Sequence, residues 1–341
     1  MKICLQNEIP VAIVGLGRIA SLLENDALRE KPCTHAGAVS ANPDCKLAAG
    51  ADISGGRRRL FAERWNVPVY ADAEEMLAKH PCKILCIATY PDSHLFYCSL
   101  AAKMRVPVVI CEKPLADSLR SARKIASLMP KTRIITNHER RYAADYNEAR
   151  SILMEKTLGE PLSIKASLYM GVNKRLIDVL WHDGTHLVDA VMFLCDVSLR
   201  HERRFGAALS STNGTAFLCG AVSSLQTTGV FQKSGGKAAH IPFCIEVGAG
   251  RDHLVFEIEV SCANGRLRIG NGVFEVYASA PSTYAQGFRS LSKTISNFDK
   301  PTGYFANMLS DAAACVRDGG RMPLSGAKHG LAVIKYLNSV R

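Results

Sequence analysis

Near the start of the chain, Gly15-Leu16-Gly17-Arg18-Ile19-Ala20 reads G-x-G-x-x-A directly after the apolar run Pro10–Val14. Glycines at that spacing permit a tight turn and let backbone approach a pyrophosphate, which then sits at the N-terminus of the following helix. Alone the motif is weak; between an expected strand and an expected helix it points to dinucleotide binding. Asp52 ends the next expected strand, where a carboxylate binds adenosine ribose hydroxyls and repels a 2′-phosphate. That favours NAD, while Arg57, Arg58 and Arg59 close behind keep NADP open. The interval from Gly15 to Asp52 is well beyond the about 20 residues usual past the motif. The surplus is expected in the polar stretch Glu24–Pro43.

Two further groups could handle protons. Lys113 follows the apolar run Val106–Cys111, which puts its ammonium at the carboxyl edge of a sheet, where ligands bind in open α/β folds. Oxidising an alcohol requires loss of its hydroxyl proton as hydride leaves, and a lysine there can act as acid or base. His186 falls near the start of an expected helix, Asp183–Leu194, and a histidine shuttles protons near neutral pH. Asp183 lies three residues earlier and His182 four, so either could share its helical face. His182-x-x-x-His186 is also the spacing of a helical zinc pair. No third ligand suggests itself, so no metal is expected. Asp183 can equally be a plain N-cap. Trp181 and Tyr169 could wall a sugar site, although core packing is the commoner use of aromatics.

The elements that must position these residues fall into two parts. In the first third, short apolar strands (Pro10–Val14, Lys46–Ala51, Ile84–Ala88, Val106–Cys111, Arg133–Thr136) alternate with helical stretches. The helices are 56–65, 73–79, 93–103 and 118–129, the last closed by Pro130. That alternation predicts a parallel sheet covered on both faces. After about residue 160, strands follow with little helix between: 162–170, 216–225, 253–260 and 266–269. Asn264-Gly265 marks a hairpin. Helices are expected at 183–194, 305–316 and 327–337. The fold class is therefore α/β plus α+β, with an N-terminal parallel sheet and a C-terminal, mainly antiparallel sheet. The division is set at residues 1–125 and 126–341.

Composition excludes other classes. With 341 residues, 48% hydrophobic and 21% charged, the chain is an ordinary globular protein, long enough to need neither disulfide nor metal for its core. No apolar run is long enough to span a membrane, and the first residues lack a secretory leader's apolar stretch. The 12 cysteines are scattered, without Cys-x-x-Cys, and read as free buried thiols in a reducing cytoplasm. The net charge of +11 is dispersed, so no nucleic-acid partner is expected.

Several segments together resemble the glucose–fructose oxidoreductase / inositol dehydrogenase (Gfo/Idh/MocA) family. They are Val11–Ala20, Ala88–His94, Cys111-Glu112-Lys113-Pro114-Leu115-Ala116, His138–Tyr142 leading to Leu158–Pro161, Asp183–Asp189, Asn264–Leu267 and Asp318–Pro323. The Glu-Lys-Pro segment combined with His186-Leu187-Val188-Asp189 is the specific part. The resemblance implies a Rossmann domain followed by an open-faced sheet that commonly mediates homodimers or homotetramers. It implies hydride transfer between NAD(P) and a sugar, cyclitol or nucleotide sugar, without metal. It also implies that Lys113 contacts the reacting oxygen, that His186 shares that hydroxyl, and that Glu112 contacts the nicotinamide ribose. The loop of Thr89, Pro91 and His94 passes the dinucleotide, and Asn137 and Arg141 are candidates for nicotinamide or substrate contact. Many members carry an aspartate where this chain has His182, so whether Asp183 or His182 supports His186 stays open. Two other readings remain: a glycoside hydrolase with a resident NAD and redox-neutral chemistry, and a non-catalytic nucleotide-binding protein.

Overall fold

The structure is a computed structural model and describes residues 8–128, 132–171, 174–224 and 241–340. Met129, Pro130 and Leu225, expected at element ends, lie outside the described residues. The chain divides into two compact units. The first takes the chain up to Ala143 and again from Pro301 to Ile334; the second takes Ala144–Lys300 and the chain from Lys335.

In the first unit six parallel strands are ordered β3-β2-β1-β4-β5-β6. These are β1 Ile9–Val14, β2 Cys45–Ala51, β3 Val69–Tyr70, β4 Ile84–Ile87, β5 Val108–Cys111 and β6 Arg133–Thr136. That is the strand order of a dinucleotide-binding doubly wound sheet. β4 and β5 read Ile-Leu-Cys-Ile and Val-Val-Ile-Cys with every residue buried, as a strand covered on both faces requires. The helices between them are α1 His35–Ala41, α2 Gly55–Trp65, α3 Ala73–Lys79, α4 His94–Lys103 and α5 Leu119–Ala126. The expected cut after residue 125 falls inside α5.

The helix expected directly after the glycine turn is interrupted. One helical turn forms: the Ser21 N–H donates to the Gly17 carbonyl at 3.1 Å and that of Leu23 to Arg18 at 2.9 Å. The chain then leaves in a 3₁₀ turn, Leu22–Asn25. It returns at His35, whose N–H donates to the Ile19 carbonyl at 3.2 Å, while that of Ala36 donates to Ala20 at 2.9 Å. So α1 resumes the helix where it stopped, and the excursion between accounts for the long interval from Gly15 to Asp52. The excursion has its own anchor. The Glu24 carboxylate accepts from the Thr34 hydroxyl at 2.6 Å, and Thr34 Oγ1 caps α1 by accepting from the Gly37 N–H at 3.0 Å.

A helix from late in the chain covers one face of this sheet. α9, Tyr304–Arg317, buries Phe305, Met308, Leu309 and Ala312 in one cluster with Val11, Ile13, Ile84, Val108, Ile110 and Ile135. Its start is held by the excursion: Glu30 accepts hydrogen bonds from the backbone N–H groups of Thr302 and Gly303 at 2.8 and 2.7 Å. A further helix, α10, spans Ala327–Ser339.

The second unit holds an eight-stranded sheet ordered β14-β13-β12-β11-β7-β10-β9-β8. The strands are β7 Pro161–Tyr169, β8 Val197–Gly206, β9 Gly214–Ser224, β10 Ile241–Ala249, β11 Val255–Cys262, β12 Gly265–Gly270, β13 Val273–Pro281 and β14 Arg289–Ile295. All neighbours are antiparallel except β7 and β10. β11 alternates strictly between half-buried and buried residues, the signature of a sheet with one covered face. The helices are α6 Ala144–Met154, α7 Leu176–His182 and α8 Gly184–Cys195, and α8 packs on β7, β8 and β11. The β11–β12 hairpin turns at Ala263-Asn264, with Cys262 paired to Gly265, one residue earlier than Asn-Gly predicts. Gly265 is already strand, where a Cβ would collide with the Tyr277 carbonyl.

Among the described residues no helix is long and apolar enough to cross a membrane.

Candidate active site

Four backbone hydrogen bonds run along the carboxyl edge of the first unit's sheet, one past the end of each ladder. The Gly15 N–H donates to Ala51 at 2.8 Å, that of Ala88 to Val14 at 2.8 Å, that of Glu112 to Ile87 at 2.9 Å, and that of Asn137 to Cys111 at 2.8 Å. Strand order therefore lays Asp52, the glycine turn, the Thr89–Pro91 loop, Glu112-Lys113 and Asn137 side by side. In open α/β sheets this edge, where strand order reverses between β1 and β4, is the place for a ligand.

The turn fits a dinucleotide. Gly15 has φ +84°, and a Cβ there would lie 2.6 Å from the Ala88 carbonyl oxygen, so only glycine fits. Gly17 is different: a Cβ there would meet nothing nearer than Arg57 Nη1 at 3.8 Å. No protein atom demands glycine at that position, and the room it leaves is what a pyrophosphate needs. Arg18 is exposed and Ile19 half-buried in the single helical turn that follows. The first N–H groups of that turn have no intrahelical partners, as at any helix start.

Asp52 is buried and braces the turn. Its Oδ2 accepts from the Leu16 N–H and its Oδ1 from the Ser54 N–H, both at 2.8 Å. The three arginines behind it separate by function. Arg58 donates to the carbonyls of Asp52 and Ile53 at 2.7 and 3.1 Å. Arg59 is exposed beside Glu63 at 3.9 Å. Arg57 alone lies over the turn, with Nη1 3.6 Å from Asp52 Oδ2.

Glu112 is the best-held group at the edge. Its Oε1 faces His35 Nε2 at 2.8 Å and accepts from Asn137 Nδ2 at 2.6 Å, and all three side chains are buried. Burial pushes the Glu112 carboxyl up. The hydrogen bond and charge of His35, the amide of Asn137 and the charge of Lys113 outweigh that and hold the carboxyl below the ordinary carboxylate range. Lys113 itself is half-buried, and its N–H lies 3.4 Å from Glu112 Oε2. His35 was not anticipated from the sequence. It stands 77 residues from Glu112, beyond the excursion, and no spacing rule joins them.

His94, expected to touch cofactor, is fully buried. Its Nε2 is 3.1 Å from the Thr89 carbonyl, and its Nδ1 is 3.1 and 3.3 Å from the carbonyls of Pro114 and Leu115. The ring ties the loop after β4 to the Glu-Lys-Pro turn after β5, so it positions both rather than meeting a ligand. Burial lowers its pKa from the ordinary value. Thr89 is fixed by the Ser93 hydroxyl at 2.7 Å, and Pro91 is half-buried.

In the second unit the expected helix Asp183–Leu194 forms as α8, starting one residue later, at Gly184. Asp183 ends α7 and precedes α8, and its carboxylate makes no capping hydrogen bond. It lies instead 3.8 Å from Lys174 Nζ. His182, the last residue of α7, is exposed and belongs to a different helix from His186. The one-helix spacing that suggested a shared face, or a zinc pair, is therefore absent. Among the described residues no cluster of three or more His, Cys, Asp or Glu could hold a metal. Every residue of α8 is buried except His186, which is half-buried. Trp181 is buried, and the Arg251 guanidinium stacks over Tyr169 at 4.3 Å.

Residues 9–137 match the family model described as an oxidoreductase family with an NAD-binding Rossmann fold. No curated protein sequence matches the chain. Solved structures share the fold at low identity. A dehydrogenase from Chromobacterium violaceum is 16% identical, with TM-score 0.75, covering 97% of this chain and 93% of its own. UDP-N-acetylglucosamine 3-dehydrogenase from Acidithiobacillus ferrooxidans is 14% identical, with TM-score 0.73, covering 98% and 97%. The WlbA dehydrogenase from Bordetella pertussis, solved with NADH and UDP-GlcNAcA, is 16% identical, with TM-score 0.70, covering 97% and 95%.

Proposed function

We propose a substrate and a division of roles for this chain, whose residues 9–137 match the model of the NAD-binding Gfo/Idh/MocA oxidoreductase family. The reaction is oxidation or reduction at one CH–OH carbon of a sugar, cyclitol or nucleotide sugar. The observation that carries it is the carboxyl edge of the parallel sheet. A glycine turn open to a pyrophosphate stands there beside a lysine that follows a fixed carboxylate. The sugar-nucleotide dehydrogenases among the fold's relatives support the substrate class.

NAD, when bound, accepts or returns the hydride. The chain's own residues do the rest. Asp52 holds the glycine turn in shape through the Leu16 N–H and faces the adenosine side. Glu112, kept ionised by His35 and Asn137, fixes the backbone from which Lys113 projects. Lys113 takes the hydroxyl proton during oxidation and returns it during reduction. His186 is proposed as a second group on that hydroxyl, on the strength of the sequence resemblance and of its being the one residue of α8 that is not buried. Asp183, the N-cap residue of the helix that carries His186, is proposed as its supporting group in preference to His182, which ends the preceding helix. A cytoplasmic homodimer or homotetramer is proposed with this activity, and light scattering reads the assembly.

The test begins with calorimetric titration of nucleotide-free protein with NADH and, separately, NADPH. A screen of sugars, cyclitols and nucleotide sugars follows, read by NADH absorbance. Tighter binding of NADH with turnover of one such substrate supports the reading. Release of aglycone from a glycoside without accumulation of NADH replaces it with redox-neutral hydrolysis. Firm cofactor binding with no turnover of any substrate replaces it with nucleotide sensing.

A further inference from the structure

The Glu112 carboxylate is loaded on one side. Oε1 has both His35 Nε2 at 2.8 Å and Asn137 Nδ2 at 2.6 Å. An ionised carboxylate is acceptor-only, so the proton lies on His35 Nε2 and the ring donates. Oε2 has the Lys113 N–H at 3.4 Å, a long contact. Asn137 spends its amide nitrogen on Glu112, while its Oδ1 is buried with no hydrogen-bond partner among the described residues. A buried acceptor left open in an otherwise satisfied network is a place for a ligand's donor. The cluster thus offers two acceptors, Glu112 Oε2 and Asn137 Oδ1, from the ends of β5 and β6.

Strand order says which ligand group they face. Asp52 follows β2, and Glu112 and Asn137 lie beyond the switch point between β1 and β4. In a doubly wound sheet the two halves take the two nucleotides of a dinucleotide. Asp52 and the glycine turn serve the adenosine half, so the acceptor pair serves the other. Two acceptors in one cluster suit the vicinal hydroxyls of a ribose. His35 is built to orient rather than to react. Its backbone N–H donates to the Ile19 carbonyl at 3.2 Å, so it stands on the helix that the glycine turn begins. Its ring is buried and stands edge-on to Phe305, with centroids 5.2 Å apart.

We propose that His35 is a positioning residue for the nicotinamide half of the cofactor: its hydrogen bond to Glu112 Oε1 fixes the carboxylate so that Oε2, with Asn137 Oδ1, accepts the hydroxyls of the nicotinamide ribose. The inference rests on the dinucleotide reading above. It adds the residue through which the glycine-turn helix sets the far half of the site. His35 acts through Glu112 alone.

The test titrates nucleotide-free, full-length protein with NADH and with ADP, which carries only the half bound at the glycine turn. His35→Phe keeps a ring beside Phe305 and removes the donor. It should weaken NADH binding about tenfold, the worth of one charge-assisted hydrogen bond, and leave ADP binding unchanged. His35→Gln, whose amide reaches as far as Nε2, should recover most of the loss. In a Glu112→Gln background the same His35→Phe change should cost NADH affinity far less, because the two residues act as one unit. Should His35→Phe not fold, His35→Asn, whose amide stops short of Glu112, takes its place. Undiminished NADH binding by the variant without the donor overturns the proposal. So does an equal loss of NADH and ADP, the mark of a merely structural role. Wild-type protein that binds neither ligand overturns the dinucleotide reading itself, and the inference falls with it.

Discussion

The two units position their candidate groups by different physics. At the carboxyl edge of the first sheet, each residue is placed by a backbone bond that extends a ladder, and the side chains then lock one another: Asp52 to the glycine turn, Glu112 to His35 and Asn137, His94 to two loops. At the junction of α7 and α8, one histidine emerges from an otherwise buried helix, and the carboxylate of its neighbour Asp183 lies 3.8 Å from the exposed Lys174. The first arrangement is over-determined, so removing one member leaves buried partners stranded. At the second, the Asp183 ion pair is solvent-screened, so removing that carboxylate costs little stability.

The largest effect expected is on turnover. Lys113→Ala should lower kcat about 10²–10⁴-fold with cofactor affinity nearly unchanged, in the range of a lost general acid or base. His186→Ala should fall at the lower end of that range. A Lys113→Ala enzyme with full turnover would remove the role assigned to it. Next comes stability. Glu112→Ala strands His35 and Asn137 in the core and should cost about 3–5 kcal/mol in urea denaturation. Asp183→Ala should cost no more than about 1 kcal/mol, because its ion pair is solvent-screened. Equal costs would break the contrast between the units.

A pH experiment sharpens it. The folded pKa of His94 lies below its unfolded value of about 6.5. Between those two values the unfolded chain binds more protons, so stability falls as pH drops through about 6.5. His201, in the second unit, is shifted in the same direction by a lesser burial and by Arg204. The chain has two tryptophans, Trp65 in the first unit and Trp181 in the second. Fluorescence of Trp181→Phe and Trp65→Phe variants during urea unfolding should show the larger acid sensitivity at Trp65. The smallest effect expected is at Arg57. Arg57→Ala should weaken NADPH binding about tenfold, the worth of one charge-assisted contact, while NADH binding changes less.

The parallel sheet was legible because fully buried strands must be continuous apolar runs, as Ile84–Ile87 and Val108–Cys111 are. β8 and β14 were missed because they are sheet edges, and most of their residues are polar and exposed. α1 was missed because the excursion separates it from the turn whose helix it continues. The glycine turn, Asp52 and Lys113 announced themselves by local pattern. His35 did not, since its partner lies 77 residues away and only folding brings them together. The break at Asp183 was hidden for another reason. An aspartate before Gly-Thr reads as a helix start, and nothing in that reading says a second helix ends on the same residue.

The return of α9 to the first sheet sets an order of events during synthesis. The strands of that sheet are all made by residue 136, yet Phe305, Met308 and Leu309 belong to the same buried cluster. At roughly 5–20 residues per second, the ribosome takes about 10–30 s to cover the distance. For that interval Ile110, Ile135 and their neighbours face water, or a chaperone, while the sheet of the second unit is completed. The core of the N-terminal unit is thus begun first, yet it closes only after the sheet of the second unit has been made.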